Sequence, residues 1–452
     1  MGIGKKVSFV SLGCDKNLVD SEIMLGIIDR EGYIMTPNSK EADIIIINTC
    51  GFIMDATEEG IENILKLASY KKKGSCKGLI VTGCMAQRYK KEIFNELPEV
   101  DAVVGTSDFG MIAEIIKEVV EGKQVLQISD ANKLLNEDLN LQRKLSTPSH
   151  FAYIKIAEGC DKHCTYCTIP SIRGKYRSRS MESLIAEATS LAEQGVKELI
   201  LVAQDTSLYG NDLYGESKLH ELLKKLSDID KIKWIRILYT YPEHITKDTI
   251  NEMATNEKVC NYIDMPIQHS DNEILKKMGR QTSTEKLKSI IKELRSNIPD
   301  IAIRTTTIVG FPTETEENFN NLIDFIKEVK FDKLGVFEYS KEEGTPAYNL
   351  PNHVSPEEKE RRKNYVMEVQ QNISAQKLQN SIGKVYKVIV EKKENENENS
   401  YSGRTYADSF EIDGVIFFNS IENLEIGEFV NIRVTHSTDY DLIGELMDES
   451  SK

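Results

Sequence analysis

The sequence predicts an α/β protein built from three parts. These are an N-terminal doubly wound parallel α/β domain, a central partial (β/α)6 barrel and a small C-terminal antiparallel β-barrel. Two observations predict this order: strand and helix patterns alternate over most of the 452 residues, and short strands with Gly and Asp turns replace them after residue 380. A chain of this length is long enough for two or three domains.

The first region, residues 1–125, has the pattern of a doubly wound domain. Its strand candidates are short, apolar and rich in β-branched residues, as buried parallel strands are: VSFVSLG, ADIIIINT and GLIVTG. After the second of them, Asp55 and Glu58 can form a capping box. The helix that this box would start has an apolar face of Ile61, Ile64, Leu65 and Ala68.

A cysteine follows each of these three strands: Cys14, Cys50 and Cys84. In an open parallel sheet, ligands bind outside the carboxyl ends of the strands. We therefore expect the three thiols to meet at one edge of the sheet. The alternative is three unrelated buried thiols, since free cysteine is commonly buried.

The second region, residues 149–375, follows a polar segment, 126–148, that is predicted to be a linker. It contains six strand candidates: FAYIKIAE, ELILVAQ, WIRILYTY, NYIDMPIQ, IAIRTTTIVG and KLGVFEYS. Six β/α units are fewer than the eight of a closed barrel, so we expect a partial, open barrel with its chemistry at the C-terminal ends of the strands.

The third region, residues 380–446, reads as short strands separated by turns and predicts the small barrel. Its polar, low-complexity stretch ENENENS, 394–400, is expected to be a solvated hairpin tip without chemistry of its own.

Composition limits the class of protein. The net charge is −15, and eight cysteines are too few for a disulfide scaffold of this length, so their clustering suggests metal chemistry in a reducing compartment. The N-terminus lacks the apolar stretch of a signal peptide, and the longest apolar run is far short of a membrane span. We expect a soluble, cytoplasmic protein without a membrane partner.

Three more cysteines follow the first strand of the central region with the spacing C-x-x-x-C-x-x-C: Cys160, Cys164 and Cys167. A structural zinc site needs four ligands, and His163 lies directly beside Cys164, which makes joint chelation awkward. Ferredoxin clusters use four cysteines. Three thiolates on a four-iron cluster leave one iron open, which a catalyst needs and an electron carrier does not.

This spacing, placed after the first strand of a β/α barrel, resembles the radical S-adenosylmethionine enzymes. The resemblance implies that S-adenosylmethionine chelates the open iron and is cleaved to a 5'-deoxyadenosyl radical. It further implies that Tyr166, before the last cysteine, lies near the adenine. LVAQD, 201–205, falls where the superfamily contacts the methionine moiety, although the usual glycine-rich form is absent.

Nearly the whole chain resembles a narrower family, the methylthiotransferases, whose last domain is a TRAM barrel. The segments that carry the resemblance are LGCDKNLVDSE, NTCGFIMDATEE, VTGCMAQRY, GCDKHCTYCTIPSIRGKYRSR, MPIQHSDNEILKKMGR, TTTIVGFPTETEENF and YSKEEGTPA. The sequence departs from the family pattern at Asp15, where Pro is common, and at Thr313, where Gly is common. Neither position is a ligand, so activity is expected to survive both.

The family resemblance implies two [4Fe-4S] clusters. Cys14, Cys50 and Cys84 would hold the second, which carries the sulfur to be transferred. One S-adenosylmethionine methylates that sulfur, a second is cleaved, and the radical takes hydrogen from an unactivated substrate carbon, which then receives the methylthio group. The cofactors carry the hard chemistry, so no side-chain acid or base is assigned.

The family has two main branches, one acting on an adenosine of transfer RNA and one on the β-carbon of an aspartate in ribosomal protein S-twelve. Residues 381–445 contain six basic and thirteen acidic residues, a balance that suits a basic protein partner and makes direct nucleic-acid binding unfavourable. The local segments WIRILYTYP, RTTTIVGFP, DGVIFF and TDYDLIGE also resemble the ribosomal-protein branch.

The expected partners are therefore ribosomal protein S-twelve, or the small ribosomal subunit, and a reducing electron donor of the flavodoxin or ferredoxin type. Two alternatives stay open at this point. One is the transfer-RNA branch, and the other is a non-enzymatic iron–sulfur electron carrier or scaffold, which would not form 5'-deoxyadenosine.

Overall fold

The computed structural model describes residues 4–133, 143–395 and 399–447. Over these ranges it has the predicted fold class: two parallel α/β units followed by a small β-barrel. No helix in the described part of the chain is long and apolar enough to cross a membrane.

The N-terminal domain is a six-stranded parallel sheet with the order β2-β1-β3-β4-β5-β6. Its strands are β1 (Lys6–Ser11), β2 (Ile34–Met35), β3 (Ile44–Thr49), β4 (Gly78–Gly83), β5 (Ala102–Val104) and β6 (Val125–Gln127). The order reverses between β1 and β3, which makes this edge the topological switch point, where doubly wound sheets bind ligands. The predicted linker, 126–148, begins inside β6, and residues 134–142 lie outside the described ranges.

Helices cover both faces of this sheet. They are α1 (Asp15–Arg30), α2 (Met54–Ala68), α3 (Tyr70–Lys73), α4 (Cys84–Tyr89), α5 (Glu92–Glu96) and α6 (Ile112–Val120). The predicted capping box of α2 is wrong: Ile53 is the N-cap, without a side-chain hydrogen bond, and Asp55 lies inside the first turn. Of the predicted apolar face, Ile64 and Ala68 are buried and Ile61 packs against the same core, but Leu65 is 50% exposed and Leu67 is buried instead.

The central domain contains six parallel strands in simple sequential order. They are β7 (Phe151–Lys155), β10 (Glu198–Val202), β11 (Trp234–Ile237), β12 (Val259–Asp264), β13 (Ala302–Val309) and β14 (Lys333–Glu338), and a short ribbon of β8 (Ala157–Glu158) and β9 (Arg177–Ser178) follows β7. All six strands coincide with predicted ones. No strand pairing closes β14 onto β7 among the described residues, so the barrel is open as expected.

Nine α-helices accompany these strands in the described residues of this domain. They are α7 (Ile169–Arg173), α8 (Met181–Glu193), α9 (Asn211–Tyr214), α10 (Leu219–Ser227), α11 (Lys247–Thr255), α12 (Asn272–Lys277), α13 (Thr284–Asn297), α14 (Glu316–Val329) and α15 (Pro356–Gln379). Ser180 caps α8 by accepting a hydrogen bond from the backbone of Ser183. The outer faces of the strands and the apolar faces of the helices form one continuous core.

The C-terminal domain is a closed five-stranded barrel in the order β15-β16-β17-β19-β18. Its strands are β15 (Val385–Asn395), β16 (Ser400–Arg404), β17 (Ile416–Asn419), β18 (Phe429–Ser437) and β19 (Leu442–Leu446). All pairings are antiparallel except that of β17 with β19, which is parallel. The predicted tip ENENENS joins β15 to β16, and its residues 396–398 lie outside the described ranges.

The interior of the open barrel is covered from two directions. From the N-terminal domain, Asp20 of α1 accepts a hydrogen bond from Lys155 at the carboxyl end of β7. From the small barrel, Arg404 donates to buried Glu198, and Asp413 accepts from the hydroxyl of Tyr262 at 2.8 Å. The N-terminal domain is therefore held over the strand ends where barrel chemistry occurs.

Candidate functional site

The structure brings Cys14, Cys50 and Cys84 together at the switch point of the N-terminal sheet. Cys14 is the N-cap of α1, Cys50 follows β3, and Cys84 begins α4. These residues are called the N-terminal triad below.

Glycines beside the triad let its loops approach closely. A Cβ on Gly13 would lie 2.9 Å from the Cβ of Cys50, and one on Gly51 would lie 2.7 Å from the backbone of Met85. Gly83 has a φ of 93° and would collide with Asn48 and Thr49. Only glycine fits such contacts, so the cradle is specified residue by residue.

Burial and the neighbouring thiols both affect the pKa values in the N-terminal triad. Burial raises the pKa of Cys50, and a Cys14 thiolate raises it further. Burial raises the pKa of Cys84 to about 12; the guanidinium of Arg173 opposes this, while Cys14 and Cys50 add to it. Three thiolates this close need a cation or a metal centre to hold them.

The central triad, Cys160, Cys164 and Cys167, lies after β8 at the carboxyl end of β7. Burial raises the pKa of Cys160 to about 11 and of Cys167 to about 12, with contributions from Cys164 in both cases. Backbone N–H groups donate to two of the sulfurs at 3.4 Å, from Lys162 to Cys160 and from Ile169 to Cys167. Such bonds are typical of cysteines that ligate iron–sulfur clusters.

Two distant segments fix the loop that carries this triad. The backbone N–H of Thr165 donates to Met278 at 2.9 Å, and the N–H of Ala347 donates to Thr165 at 2.8 Å. A Cβ on Gly279 would lie 2.9 Å from the carbonyl oxygen of His163. The segment MGR, 278–280, is therefore the support on which the loop rests.

The predicted cofactor residue Tyr166 points into this support. Burial raises its pKa, and Cys164 contributes. The guanidinium of Arg280 lies 4.3 Å from the centre of the Tyr241 ring and interacts electrostatically with Tyr166 and Cys164. The central triad is thus surrounded by two aromatic rings and one buried cation.

Several polar atoms of this neighbourhood have no hydrogen-bond partner among the described residues: Nε and Nη1 of Arg280, and Oε1 of Gln204. Arg280 is only 6% exposed. Buried donors and acceptors are nearly always satisfied, so these atoms indicate a polar ligand. A carboxylate for Arg280 and an amino group for Gln204 are what the methionine part of S-adenosylmethionine offers.

A series of hydrogen-bonded side chains also lies beside the cysteine loop. His244 lies 2.7 Å from Asp205 through Nδ1 and 2.8 Å from the Nζ of Lys162 through Nε2. Asp205 ends the segment LVAQD, so this segment supports the cysteine loop through His244 and Lys162.

No group of three His, Cys, Asp or Glu side chains in the described part of the chain is arranged to hold a single metal ion. A four-iron cluster makes a different demand, because each thiolate binds a different iron and the sulfurs stand farther apart. Three thiolates in a glycine-lined cradle fit that demand at the N-terminal triad, and three thiolates with backbone N–H donors fit it at the central triad. The two remaining cysteines, Cys76 and Cys260, are buried elsewhere in the domain cores.

Two tyrosines of the segment LYTYP connect the two triads. The hydroxyl of Tyr239 donates to Asp15, the residue after Cys14, at 3.0 Å, and its ring lies 3.4 Å from the Nζ of Lys16. Tyr241 lies on the central side, next to Arg280. Tyr239 adopts a φ of 58°, a strained value for a tyrosine and a frequent sign of function.

The two residues that depart from the family pattern, Asp15 and Thr313, each accept a side-chain hydrogen bond. Asp15 accepts the hydrogen bond from Tyr239. Thr313 has a φ of 72°, which explains why glycine is common there, and its hydroxyl accepts a hydrogen bond from Lys277 at 2.7 Å.

The sequence patterns described above assign no role to Arg280, Tyr239 or Arg173. Arg173 and Arg179 are not surface charges: they are 3% and 8% exposed and pair with buried carboxylates. Their position directly after the cysteine motif was the available signal.

Comparison with known proteins identifies each region. Residues 6–105 match the uncharacterized protein family UPF0004, residues 154–326 the Radical SAM superfamily, and residues 382–447 the TRAM domain. The chain is 51% identical over 444 residues to "Ribosomal protein uS12 methylthiotransferase RimO" of Clostridioides difficile, covering 98% of this chain and 99% of that protein. It is 52% identical over 453 residues to the protein of the same name from Acetivibrio thermocellus, covering 99% and 100%.

The chain belongs to the uS12 methylthiotransferase RimO family. The predicted resemblance to radical S-adenosylmethionine enzymes and to the ribosomal-protein branch is confirmed. Among solved structures, the radical S-adenosylmethionine methyltransferase TsrM of Kitasatospora setae, with cobalamin and a [4Fe-4S] cluster bound, shares the fold. Its TM-score is 0.54 at 13% identity, over 76% of this chain and 77% of that chain.

Proposed function

We propose that this member of the RimO family transfers a methylthio group to the β-carbon of an aspartate in ribosomal protein uS12. In this proposal the N-terminal and central triads each hold one [4Fe-4S] cluster, and S-adenosylmethionine binds at the central one. When bound there, such a cluster supplies the electron that cleaves S-adenosylmethionine.

The observation that carries the proposal is the presence of two separate three-thiol cradles in one interdomain region. They are joined by Tyr239 on one side and by α7 on the other, where the hydroxyl of Thr168 donates to the carbonyl of Phe52 at 3.4 Å. An electron carrier would need neither an incomplete ligand set nor the unpartnered donors of Arg280. A sulfur transfer between two centres needs an open iron at each centre and donors that bind S-adenosylmethionine.

The protein's own residues have positioning roles in this scheme. Tyr166, Tyr241 and Arg280 enclose the central triad and would hold the methionine and adenine ends of S-adenosylmethionine. The N-terminal domain lies against the carboxyl ends of the barrel strands through the bonds of Asp20, and a bound substrate would complete the shielding of a radical from water.

The surface of the small barrel supports a basic protein as substrate. Several of its acidic residues are used internally: Glu391 pairs with Arg404, and Asp408 pairs with Lys333. Others remain exposed, including Glu422 and Glu425. They flank apolar side chains in the same loop, with Ile421 97% exposed, and this mixture suits a basic partner better than a phosphate backbone.

The proposal also requires a one-electron donor of the flavodoxin or ferredoxin type, and it places the reaction in the cytoplasm, where ribosomal proteins are made. A transfer-RNA substrate is the competing possibility, and the acidic barrel speaks against it.

The test is a methylthiolation assay on the anaerobically reconstituted, reduced enzyme with S-adenosylmethionine and sulfide. Ribosomal protein uS12, free or in small subunits, and unmodified transfer RNA are offered in parallel and analysed by mass spectrometry. We expect a methylthio group on one aspartate of the protein and unmodified RNA. Modification of adenosine instead would overturn the proposed substrate.

A further inference from the structure

Helix α7 links the two triads with one short piece of chain. Cys167 lies two residues before it, and Arg173 is its last residue. The hydroxyl of Thr106, in the N-terminal domain, donates to the carbonyl of Ile172 at 2.9 Å. The segment that begins at the central triad therefore ends in contact with the N-terminal domain.

Arg173 ends this segment in direct contact with the N-terminal triad. Its Nη2 donates to the sulfur of Cys84 at 3.3 Å and to Asn17 at 3.1 Å. Its Nη1 donates to Asp20 at 2.6 Å and to Glu158 at 3.2 Å. Four partners from three elements fix the guanidinium in one orientation.

The charges around Arg173 are nearly balanced without the thiolates. Asp20 and Glu158 each also bind Lys155, so two carboxylates face two cations. All four side chains are buried. The hydrogen bond from Arg173 to Cys84 is therefore shielded from water. A hydrogen bond from a charged donor is stronger in such a low-dielectric environment.

We propose that Arg173 is a positioning residue for the iron–sulfur cluster of the N-terminal triad, and that its hydrogen bond to Cys84 raises the reduction potential of that cluster. The inference rests on the proposed function, because it requires a cluster at this triad. Hydrogen bonds to ligand sulfurs and nearby positive charge stabilise the reduced form of iron–sulfur clusters, which carries more negative charge. Because Arg173 ends the helix α7 that follows Cys167, the position of the central segment also affects this reduction potential.

Arg179 provides a matched control in the same stretch of sequence. It is also buried, it pairs with Glu187 at 2.5 Å, and it donates to the backbone of Lys155 at 3.0 Å. It makes no contact with a cysteine of the described residues. Arg173→Gln and Arg179→Gln thus both remove a buried charge, but only the first removes a bond to sulfur.

The experiment uses the full chain with Cys160, Cys164 and Cys167 replaced by Ala, so that only the N-terminal cluster contributes. After reconstitution, the cluster is titrated with dithionite and followed by electron paramagnetic resonance. We expect Arg173→Gln to shift the midpoint potential to more negative values, Arg173→Lys to give an intermediate value because it keeps the charge, and Arg179→Gln to leave the potential unchanged.

Two results would contradict these expectations in distinguishable ways. Equal potentials in the parent, the Arg173→Lys and the Arg173→Gln proteins would overturn the role of Arg173 while leaving the proposed function intact. A parent protein that takes up no cluster at all would overturn the two-cluster proposal, and this inference with it. If Arg173→Gln does not fold, which circular dichroism would show, the Arg173→Lys titration decides by itself.

Discussion

The two cysteine triads differ in how their buried arginines are used. Arg173, beside Cys84, has a partner for each of its terminal nitrogens, whereas Arg280, beside Cys164, keeps Nε and Nη1 without one. Both guanidinium groups are almost fully buried. The terminal nitrogens of Arg173 are fully used within the protein, whereas Arg280 is held through Nη2 by Pro266 and Glu243 and keeps two donors open. The comparison therefore places donors that are free to bind a ligand beside the central triad, and places none at Nη1 and Nη2 of Arg173 beside the N-terminal triad.

The triads also differ in how the chain builds them. Three strand ends supply the N-terminal triad, with cysteines 36 and 34 residues apart, so the sheet positions them. One loop supplies the central triad, and tertiary contacts with Met278 and Ala347 position it. The geometry of the N-terminal triad therefore depends on the stability of a whole domain, and that of the central triad depends on the packing of one loop.

The largest expected effect separates the chemistry of the two triads. Cys84→Ala should abolish methylthiolation and leave cleavage of S-adenosylmethionine to 5'-deoxyadenosine intact, since the central triad is untouched. Cys164→Ala should abolish both reactions. Product and 5'-deoxyadenosine are quantified by mass spectrometry, with Cys76→Ala as the control; loss of cleavage in Cys84→Ala would show that the triads are not separable.

A smaller effect is expected at the open arginine. Arg280→Gln should weaken binding of S-adenosylmethionine about tenfold or more, because a hydrogen bond to a charged group contributes ~1.5–3 kcal/mol. Equilibrium binding to the reconstituted protein measures the Kd, and Arg295→Gln, on the far helix α13, is the control. An unchanged Kd would mean that Arg280 serves only to support the loop.

The connection between the triads can be weakened at Tyr239. Tyr239→Phe removes the bond to Asp15 and should lower the ratio of methylthiolated product to 5'-deoxyadenosine about three- to tenfold, from the loss of ~1 kcal/mol. Asp15→Asn tests the same bond from the other side, and the double variant should add little. Tyr241→Phe, on the central side, is the matched control; an equal loss there would contradict a specific role of the Tyr239 hydroxyl.

The stability of the central domain should depend on pH through a buried histidine. All seven histidines follow residue 149, and burial lowers the pKa of His269 to about 4, with its Nδ1 accepting from the N–H of Asp271 at 3.0 Å. The unfolded chain binds a proton at His269 near pH 6.5 and the folded one does not. Its contribution to stability is therefore complete above pH 6.5 and falls as the pH drops towards 4, at ~1.4 kcal/mol per pKa unit.

This acid response is measurable by urea unfolding at pH 7 and pH 5, followed by the fluorescence of Trp234, the one tryptophan, in the central domain. His269→Asn keeps the acceptor and should reduce the difference between the two pH values, whereas exposed His436→Asn should not. An identical pH dependence in all three proteins would remove His269 as the cause.

Strands such as β3 and β4 could be predicted because they are short runs of mostly β-branched apolar residues between helical patterns, as buried parallel strands are. The helix α2 was less predictable: it starts after Ile53 without a capping side chain, and packing against the sheet buries Leu67 rather than Leu65. Both triads could be predicted from the position of cysteines after strands. Arg280 and Tyr239 could not, since their roles arise from contacts between segments more than a hundred residues apart.

The number of clusters in the reconstituted protein tests the two-centre account most directly. Iron analysis combined with Mössbauer spectroscopy on the wild-type chain, on Cys14/Cys50/Cys84→Ala and on Cys160/Cys164/Cys167→Ala gives that number for each triad. We predict two four-iron clusters in the wild-type protein and one in each triple variant, with S-adenosylmethionine perturbing the spectrum only where the central triad is intact. A single cluster in the wild-type protein, lost completely in one triple variant and unaffected in the other, would contradict the account.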